Sequence, residues 1–177
     1  MEFEILGHPP DGPALDLDWR RFRYAGKFVM TNSGKAVARD GDETVGAIAF
    51  NGDRSDETRA WIRYVTVRDD RGGEGIGPRL TAYVTNRLLE DNETVRAGAN
   101  NVFSYQSFFK AGFGFTGETT GLDELVVERP GERSPQRYRD GLRRYLDRDL
   151  SESERAFATD RLDRGPPDRI DPPGEDT

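Results

Sequence analysis

The chain has 177 residues, a net charge of −7, a pI of about 4.9 and no cysteine. This excludes disulfide scaffolds, thiolate metal sites and a cysteine nucleophile, and disfavours nonspecific nucleic-acid binding. Length favours one domain with an appendage, while 34% hydrophobic residues and a mean hydropathy of −0.81 leave much of the chain for surface. No stretch approaches the roughly 18 apolar residues a membrane span needs, and the acidic start MEFEILGHPP does not read as a signal peptide. The expectation is a soluble cytoplasmic protein that binds neither membrane nor nucleic acid.

In chain order, EFEIL predicts a short first strand, followed by a Pro/Gly loop. The lone His8 lies in that loop beside Pro9 and Pro10 and reads as surface, with nothing at metal-ligand spacing near it, so no metal is expected. Residues 15–35 mix Trp19, Phe22, Tyr24, Phe28, Val29 and Met30 with basic residues and predict one or two helices. KAVARD (35–40), TVGAIAF (44–50) and RAWIRYVTV (59–67) predict three strands. The DG and NG dipeptides between them are hairpin signals, so the strands read as an antiparallel meander. Ile76, Leu80, Val84 and Leu88 recur every four residues and mark one helix face. TVRAGA (94–99) predicts a strand, residues 100–112 a helix between an Asn cap and a Gly cap, and FGFTGE and LDELVVE two last strands.

RPGERSP (129–135) marks a boundary. Beyond it Tyr138, Leu142, Tyr145, Leu146 and Leu150 share a helical face that must dock on this chain's sheet or on a second copy's, which makes a homodimer a candidate assembly. Ser151 and Glu154 form a capping box before a further helix, and residues 165–177, with four prolines and little to bury, predict a tail without structure. The expected organisation is a domain over 1–130, a helical extension over 131–164 and the tail over 165–177. The fold class is mixed α/β, with a mainly antiparallel central sheet and flanking helices.

RDDRGGEGIGPRL (68–80) lies between a predicted strand and a predicted helix and holds four glycines, then Pro78. A plain strand–helix turn needs one or two. Glycines at a helix N-terminus open the backbone N–H groups to a ligand, and the helix dipole favours negative charge there, so the stretch reads as a cradle for a phosphate or pyrophosphate. Pro78 suits the first helical turn. The stretch is not a Walker A loop, because Pro-Arg follows Gly77 where Lys-Ser/Thr belongs. Nor is it a dinucleotide fingerprint, since the strand before it belongs to a meander.

VTVRDDRGGEGIG resembles motif A of the GNAT N-acetyltransferases, in which a strand end, an Arg/Gln-x-x-Gly-x-Gly/Ala loop and a helix hold the pyrophosphate of acetyl-CoA. Gly75-Ile76-Gly77 supplies the final Gly-x-Gly, whereas the Arg/Gln position falls on Gly72, with Arg71 one residue early. NVFSYQSFFKAGF (101–113) is similar to the family's Asn-x-x-Ala-x-x-x-Tyr-x-Lys-x-Gly-Phe helix: Asn101, Lys110, Gly112 and Phe113 match, Ser104 stands for Ala, and Phe108 stands for Tyr. The resemblance covers about residues 35–130 and, more loosely, 15–35.

It implies a GNAT-like fold and transfer of acetyl from acetyl-CoA to a small-molecule or peptide amine. It places the cosubstrate against Val65, Val67, Arg71, Gly72, Gly73, Gly75, Ile76, Gly77, Asn101 and Phe108. Phe108 has no proton to give a leaving thiolate, so Tyr105, three residues earlier on the helix, is the candidate acid, against the alternative that it only packs. No base stands out in WIRYVTV, and Glu43 in the preceding turn is a bare candidate. An acyl-CoA-binding module without catalysis is the alternative function. The 19 Asp, 14 Glu and only three Lys (Lys27, Lys35, Lys110) resemble the composition of salt-in halophile proteins; a GC-rich genome also favours Arg over Lys.

Overall fold

In a computed structural model of the protein, described over residues 1–170, the expected mixed α/β fold is present. Seven mainly antiparallel strands accompany four α-helices, and the residues fall into two compact units, Met1–Val95 and Arg96–Ile170.

The first unit is the meander. Strands β1 (Glu2–Gly7), β2 (Gly34–Asp40), β3 (Glu43–Gly52) and β4 (Arg59–Val67) pair antiparallel in that order. The β2–β3 turn falls on the DG signal, with Gly41 at φ 61°. The NG signal is misplaced: Asn51 and Gly52 pair with Trp61 and Ala60, and the chain turns later. Asp53 and Asp56 make that turn by taking the amides of Ser55 (2.8 Å) and Thr58 (2.9 Å) on their carboxylates.

Helix α1 (Ile76–Leu88) packs on one face of the meander through Ile76, Leu80, Val84 and Leu88, the face read from the sequence. Gly46 in β3 permits the approach, since a Cβ there would lie 3.2 Å from Ile76. The opposite face carries Phe28, Val37, Ala47 and Ala49, covered by Leu6, Leu15, Leu17 and Tyr64. Residues 15–35 do not form the expected helices: an irregular segment with a single 3-10 turn, Ala25–Val29, leads into β2 at Gly34. Phe22, Ala25 and Phe28 are its buried anchors. A spacing of three suits a 3-10 turn, and Leu15 and Leu17 alternate as an extended chain does.

Strand β4 carries a bulge at Arg63. Ala49 pairs with Tyr64 and Phe50 with Ile62, so Arg63 is the extra residue. The bulge resets the alternation. Ile62 and Val65 share the α1 face with Ile48 and Phe50, whereas Tyr64 and Thr66 lie opposite Ala49 and Ala47 on the other face.

In the second unit, β7 (Leu125–Arg129) lies between β5 (Thr94–Ala99) and β6 (Gly114–Thr119), and β6 and β7 are antiparallel. Helices α2 (Val102–Lys110), α3 (Pro135–Leu146) and α4 (Glu152–Arg164) complete it. Tyr138, Leu142 and Tyr145 of α3 are buried within this unit, where Tyr138 stacks on Tyr105 and the Tyr145 hydroxyl donates to the Ala99 carbonyl (2.6 Å). Ser151 and Glu154 close the expected capping box of α4. Residues 165–170, expected to begin the tail, are held: Ile170 donates its amide to Lys110 O (2.9 Å), and Arg133 reaches Pro167 O (3.3 Å). Residues 171–177, the rest of the expected tail, lie outside the described residues.

Candidate functional site

The glycine stretch forms the turn between β4 and α1 within the first unit. Beyond Val67, Asp69–Arg71 makes one 3-10 turn, and the chain then passes through Gly72, Gly73, Glu74 and Gly75, all exposed, into α1. Gly73 (φ 80°) and Gly75 (φ 77°) are left-handed, a conformation that a side chain strains. Gly75 is the N-cap and supplies no side-chain bond. Among the described residues no acceptor takes the backbone amides of residues 72–77. Pro78 has no amide to satisfy, and Arg79 closes the first helical bond on Gly75 O (3.2 Å). A Cβ at Gly73 would meet nothing within 4 Å, and one at Gly72 only Asp69 O at 3.8 Å, so a side chain has room at both positions. The donor set fits a polyphosphate: a row of amides at a helix N-terminus, exposed over residues 72–75 and buried at Ile76 and Gly77.

Arginines pair with two acidic side chains of this turn, Asp70 and Glu74. Arg68 binds Asp70 with two nitrogens (2.6 and 3.2 Å) and reaches Glu43 (3.3 Å). Arg71 binds Glu74 (2.8 Å) and Asp40 (3.0 Å). The Arg68 and Arg71 guanidiniums hold the carboxyls of Asp70 and Glu74 respectively below the usual range. Arg79 folds back on the carbonyls of Gly75 (3.1 Å) and Glu74 (3.2 Å), which brings a cation to the cradle. Arg68 and Arg79 were not singled out in the sequence; the only signal for them is an Arg at each end of the glycine run. Glu43, the bare candidate base, is engaged by Arg68.

Val65, Val67, Arg71, Gly72, Gly73, Gly75, Ile76 and Gly77 therefore come together at one strand–turn–helix. Val65 and Val67 are half-buried on the α1 face, and the Arg71 side chain is spent on Glu74 and Asp40.

Asn101, Tyr105 and Phe108 lie on α2 in the second unit. Asn101 is the N-cap: its Oδ1 accepts the Ser104 amide (2.8 Å) and its Nδ2 donates to Asn100 (3.1 Å). Phe108 packs on Phe113 (ring centroids 5.2 Å apart). Phe113 N bonds Phe108 O (3.0 Å) and Gly112 N bonds Phe109 O (3.1 Å), with Gly112 at φ 99°. This is a Schellman ending, and the Phe108–Phe113 contact is its usual apolar companion.

Tyr105 is fully buried among Phe109, Phe115, Tyr138 and Tyr145, and its hydroxyl donates to Tyr138 O (3.0 Å). Burial pushes its pKa up. A proton held there faces no solvent, so the geometry disagrees with the expected acid role. The cause is α3: Gly141 passes so close that a Cβ on it would lie 2.1 Å from the Tyr105 hydroxyl oxygen.

The sequence matches the Acetyltransferase (GNAT) family over residues 3–115, well over half of the chain. The chain belongs to the GNAT acetyltransferase family. Several solved structures are similar to this GNAT chain at low identity. A protein from Pyrococcus horikoshii OT3 is 24% identical over 53% of this chain and 62% of its own, with a TM-score of 0.45. A Bacillus subtilis acetyltransferase in complex with CoA is 16% identical over 54% and 75%, with a TM-score of 0.47. An aminoglycoside 6'-acetyltransferase type Ii is 19% identical over 59% and 73%, with a TM-score of 0.49. The chain thus spans under two thirds of the Pyrococcus protein's length. No curated protein matches it. Among the described residues of this GNAT protein, no helix is long and apolar enough to cross a membrane, and no group of three or more His, Cys, Asp or Glu could hold a metal ion.

Proposed function

We propose that the chain transfers an acetyl group from acetyl-CoA directly to a primary amine of a small molecule or peptide. One observation carries this reading: in a GNAT family member, no acceptor among the described residues takes the amides of residues 72–77 at the start of α1. In this reading the cradle of Gly72, Gly73, Gly75, Ile76 and Gly77 takes the pyrophosphate through backbone N–H groups, and the cosubstrate's arm runs along β4 past Val67 and Val65.

The amine nitrogen must be neutral to attack, and a Lys-type amine has a pKa near 10.4, so it first loses a proton. Its lone pair then forms the C–N bond at the thioester carbonyl. The C–S bond breaks, sulfur departs with the electron pair as a thiolate, and the nitrogen's second proton leaves for water. Tyr105 and Glu43 are engaged elsewhere, so we assign both proton transfers to solvent.

The test is acetyl-CoA calorimetry in high salt on the wild type and on Gly72→Glu, with thiol release measured over an amine panel. Gly72 has φ −65°, so the substitution adds a carboxylate to the cradle without backbone strain. Tight binding that is lost in the variant, with amine-dependent thiol release, is the expected result; a folded wild type that does not bind overturns the reading. A second reading, an acyl-CoA-binding module without turnover, is favoured by the buried Tyr105 hydroxyl and by Phe108. It requires acetyl-CoA binding with thiol release at the background rate for every amine.

A further inference from the structure

We propose that the cleft beside the β4 bulge binds an anionic group on the acceptor, so that the amine substrate also carries a carboxylate or a phosphate; this rests on the acetyl-transfer reading above.

The cleft has a volume of about 360 Å³ and lies on the face of the meander opposite α1. Lys27, Asn32, Ser33, Asn51, Arg63 and Tyr64 supply its polar lining, and among the described residues no carboxylate lines it. Of the three lysines in the sequence, two gather here. Lys27 is exposed, lies 5.9 Å from the Tyr64 ring centroid, and has no carboxylate partner among the described residues. Arg63 is set by the bulge. Its Nε donates to Asn51 Oδ1 (2.7 Å) and its guanidinium lies 4.8 Å from the Trp61 ring centroid, which holds the charge at the cleft.

Lys35 lies beneath. It is fully buried, and its ammonium donates to Met30 O (2.6 Å), Ser33 Oγ (2.9 Å) and Ser33 O (3.1 Å), residues that themselves line the cleft. Those three neutral oxygens satisfy its protons but not its charge, and no carboxylate pairs with it among the described residues. Burial lowers its pKa, as expected for a charge with no counterion. An anion in the cleft provides that counterion, while Asn32, Asn51, Ser33 and Tyr64 offer neutral donors to its oxygens. A polycationic amine would instead meet the ammonium groups of Lys27 and Lys35.

The position suits an acceptor. Arg63 and Tyr64 directly precede Val65 on β4, and at a strand's rise of about 3.3 Å per residue the cleft begins within about 10 Å of the Val65–Val67 segment assigned to the cosubstrate's arm. The anion takes no part in bond making. It orients the amine toward the thioester, and the acetyl transfer balances as written above.

The test is kinetic and uses the intact chain. Thiol release from acetyl-CoA is measured with free amino acids against their carboxamides, O-phosphoethanolamine against ethanolamine, and kanamycin as a polycation. The expected result is a kcat/KM at least about tenfold higher for one anionic member than for its neutral partner, with the preferred pair distinguishing carboxylate from phosphate. In Lys27→Gln and Arg63→Gln the KM for that substrate rises about tenfold and the preference shrinks. In parallel, N-acetyl amino acids and their carboxamides are compared by thermal shift without acetyl-CoA. Turnover with no anionic preference, or preference for kanamycin, overturns this proposal and leaves the acetyl-transfer reading standing. If acetyl-CoA does not bind, that reading falls, and the thermal shifts still decide the cleft: equal shifts for acid and carboxamide overturn it, and a larger shift for the acid supports it.

Discussion

Helix α2 starts at Asn101, whose side chain takes the Ser104 amide; α3 starts at Ser134, whose hydroxyl takes Arg137 N; α4 starts with the capping box of Ser151 and Glu154. Helix α1 starts at Gly75, which has no side chain to offer, and among the described residues no acceptor takes the amides before and after it. A helix end left unsatisfied costs stability that a cap would recover, typically about 1 kcal/mol. Three helices recover it from their own side chains. In the fourth the end stays uncapped, as the proposed pyrophosphate cradle requires. Capped helix ends and the uncapped end of the proposed cradle are thus separate here, and that separation can be broken from either side.

The largest effect is expected on the closed side. Gly141→Ala would put a methyl 2.1 Å from the Tyr105 hydroxyl oxygen and 2.4 Å from the ring carbon bearing it. Either α3 shifts or Tyr105 leaves its pocket, and we expect a loss of about 3 kcal/mol in urea unfolding. Paired with Tyr105→Leu, which vacates the hydroxyl's place, the alanine should cost measurably less than it does alone; simple additivity would remove the proposed clash.

On the open side, Gly72→Glu should leave the unfolding midpoint nearly unchanged and weaken acetyl-CoA binding about a hundredfold, equivalent to about 2.7 kcal/mol. Gly75→Ala sharpens the same point. At φ 77° it strains the backbone by about 1 kcal/mol and adds no charge, so it should lower stability more and affinity less than Gly72→Glu does. Lower melting temperatures in these variants with unchanged acetyl-CoA affinity in calorimetry would show that the turn matters for folding alone.

Much of the open side was legible in the sequence. The glycine run, the strand before it and the every-fourth-residue stripe after it are local patterns with one physical solution each. What escaped depends on contacts distant in sequence. Nothing in WIRYVTV marks Arg63 as a bulge, because its place is set by register with β3. Asn-Gly at 51–52 is a hairpin signal that longer pairing overrides, and Asp53 and Asp56 turn the chain instead. Residues 15–35 are rich in aromatics but spaced by three and two, and tertiary packing of Phe22 and Phe28 fixes them without a helix. Tyr105 was the hardest to read. Spacing along α2 shows which way it points, but only α3, more than thirty residues away, shows that it is covered.

Asn101 tests whether one residue serves both sides. Asn101→Ala should cost about 1 kcal/mol through the lost cap, and Asn101→Ser should recover most of it. If acetyl-CoA affinity falls in both variants while stability recovers in the serine, the amide also contacts the cosubstrate. Unchanged affinity in both leaves the cap as its whole role.

The smallest effect, and the one that separates packing from chemistry, is Tyr105→Phe. The carbonyl it frees, Tyr138 O, lies inside α3 and already serves the helix ladder, so the loss at pH 7 should be under about 1 kcal/mol. Thiol release should keep the wild-type rate and pH profile; an acid role would lower kcat and remove one limb. Burial raises the pKa of Tyr105 and Tyr145 and moves Tyr138 up to about 12. The unfolded chain therefore gives up these protons near pH 10 while the folded one keeps them. Stability is full below pH 10 and falls as pH rises toward the folded values, by about 1.4 kcal/mol per pH unit for each such tyrosine. Removing the Tyr105 hydroxyl should make that alkaline decline shallower by about one proton in urea midpoints taken from pH 9 to 11. A decline of unchanged slope would mean that the Tyr105 proton is free to leave in the folded state, and the acid role would return.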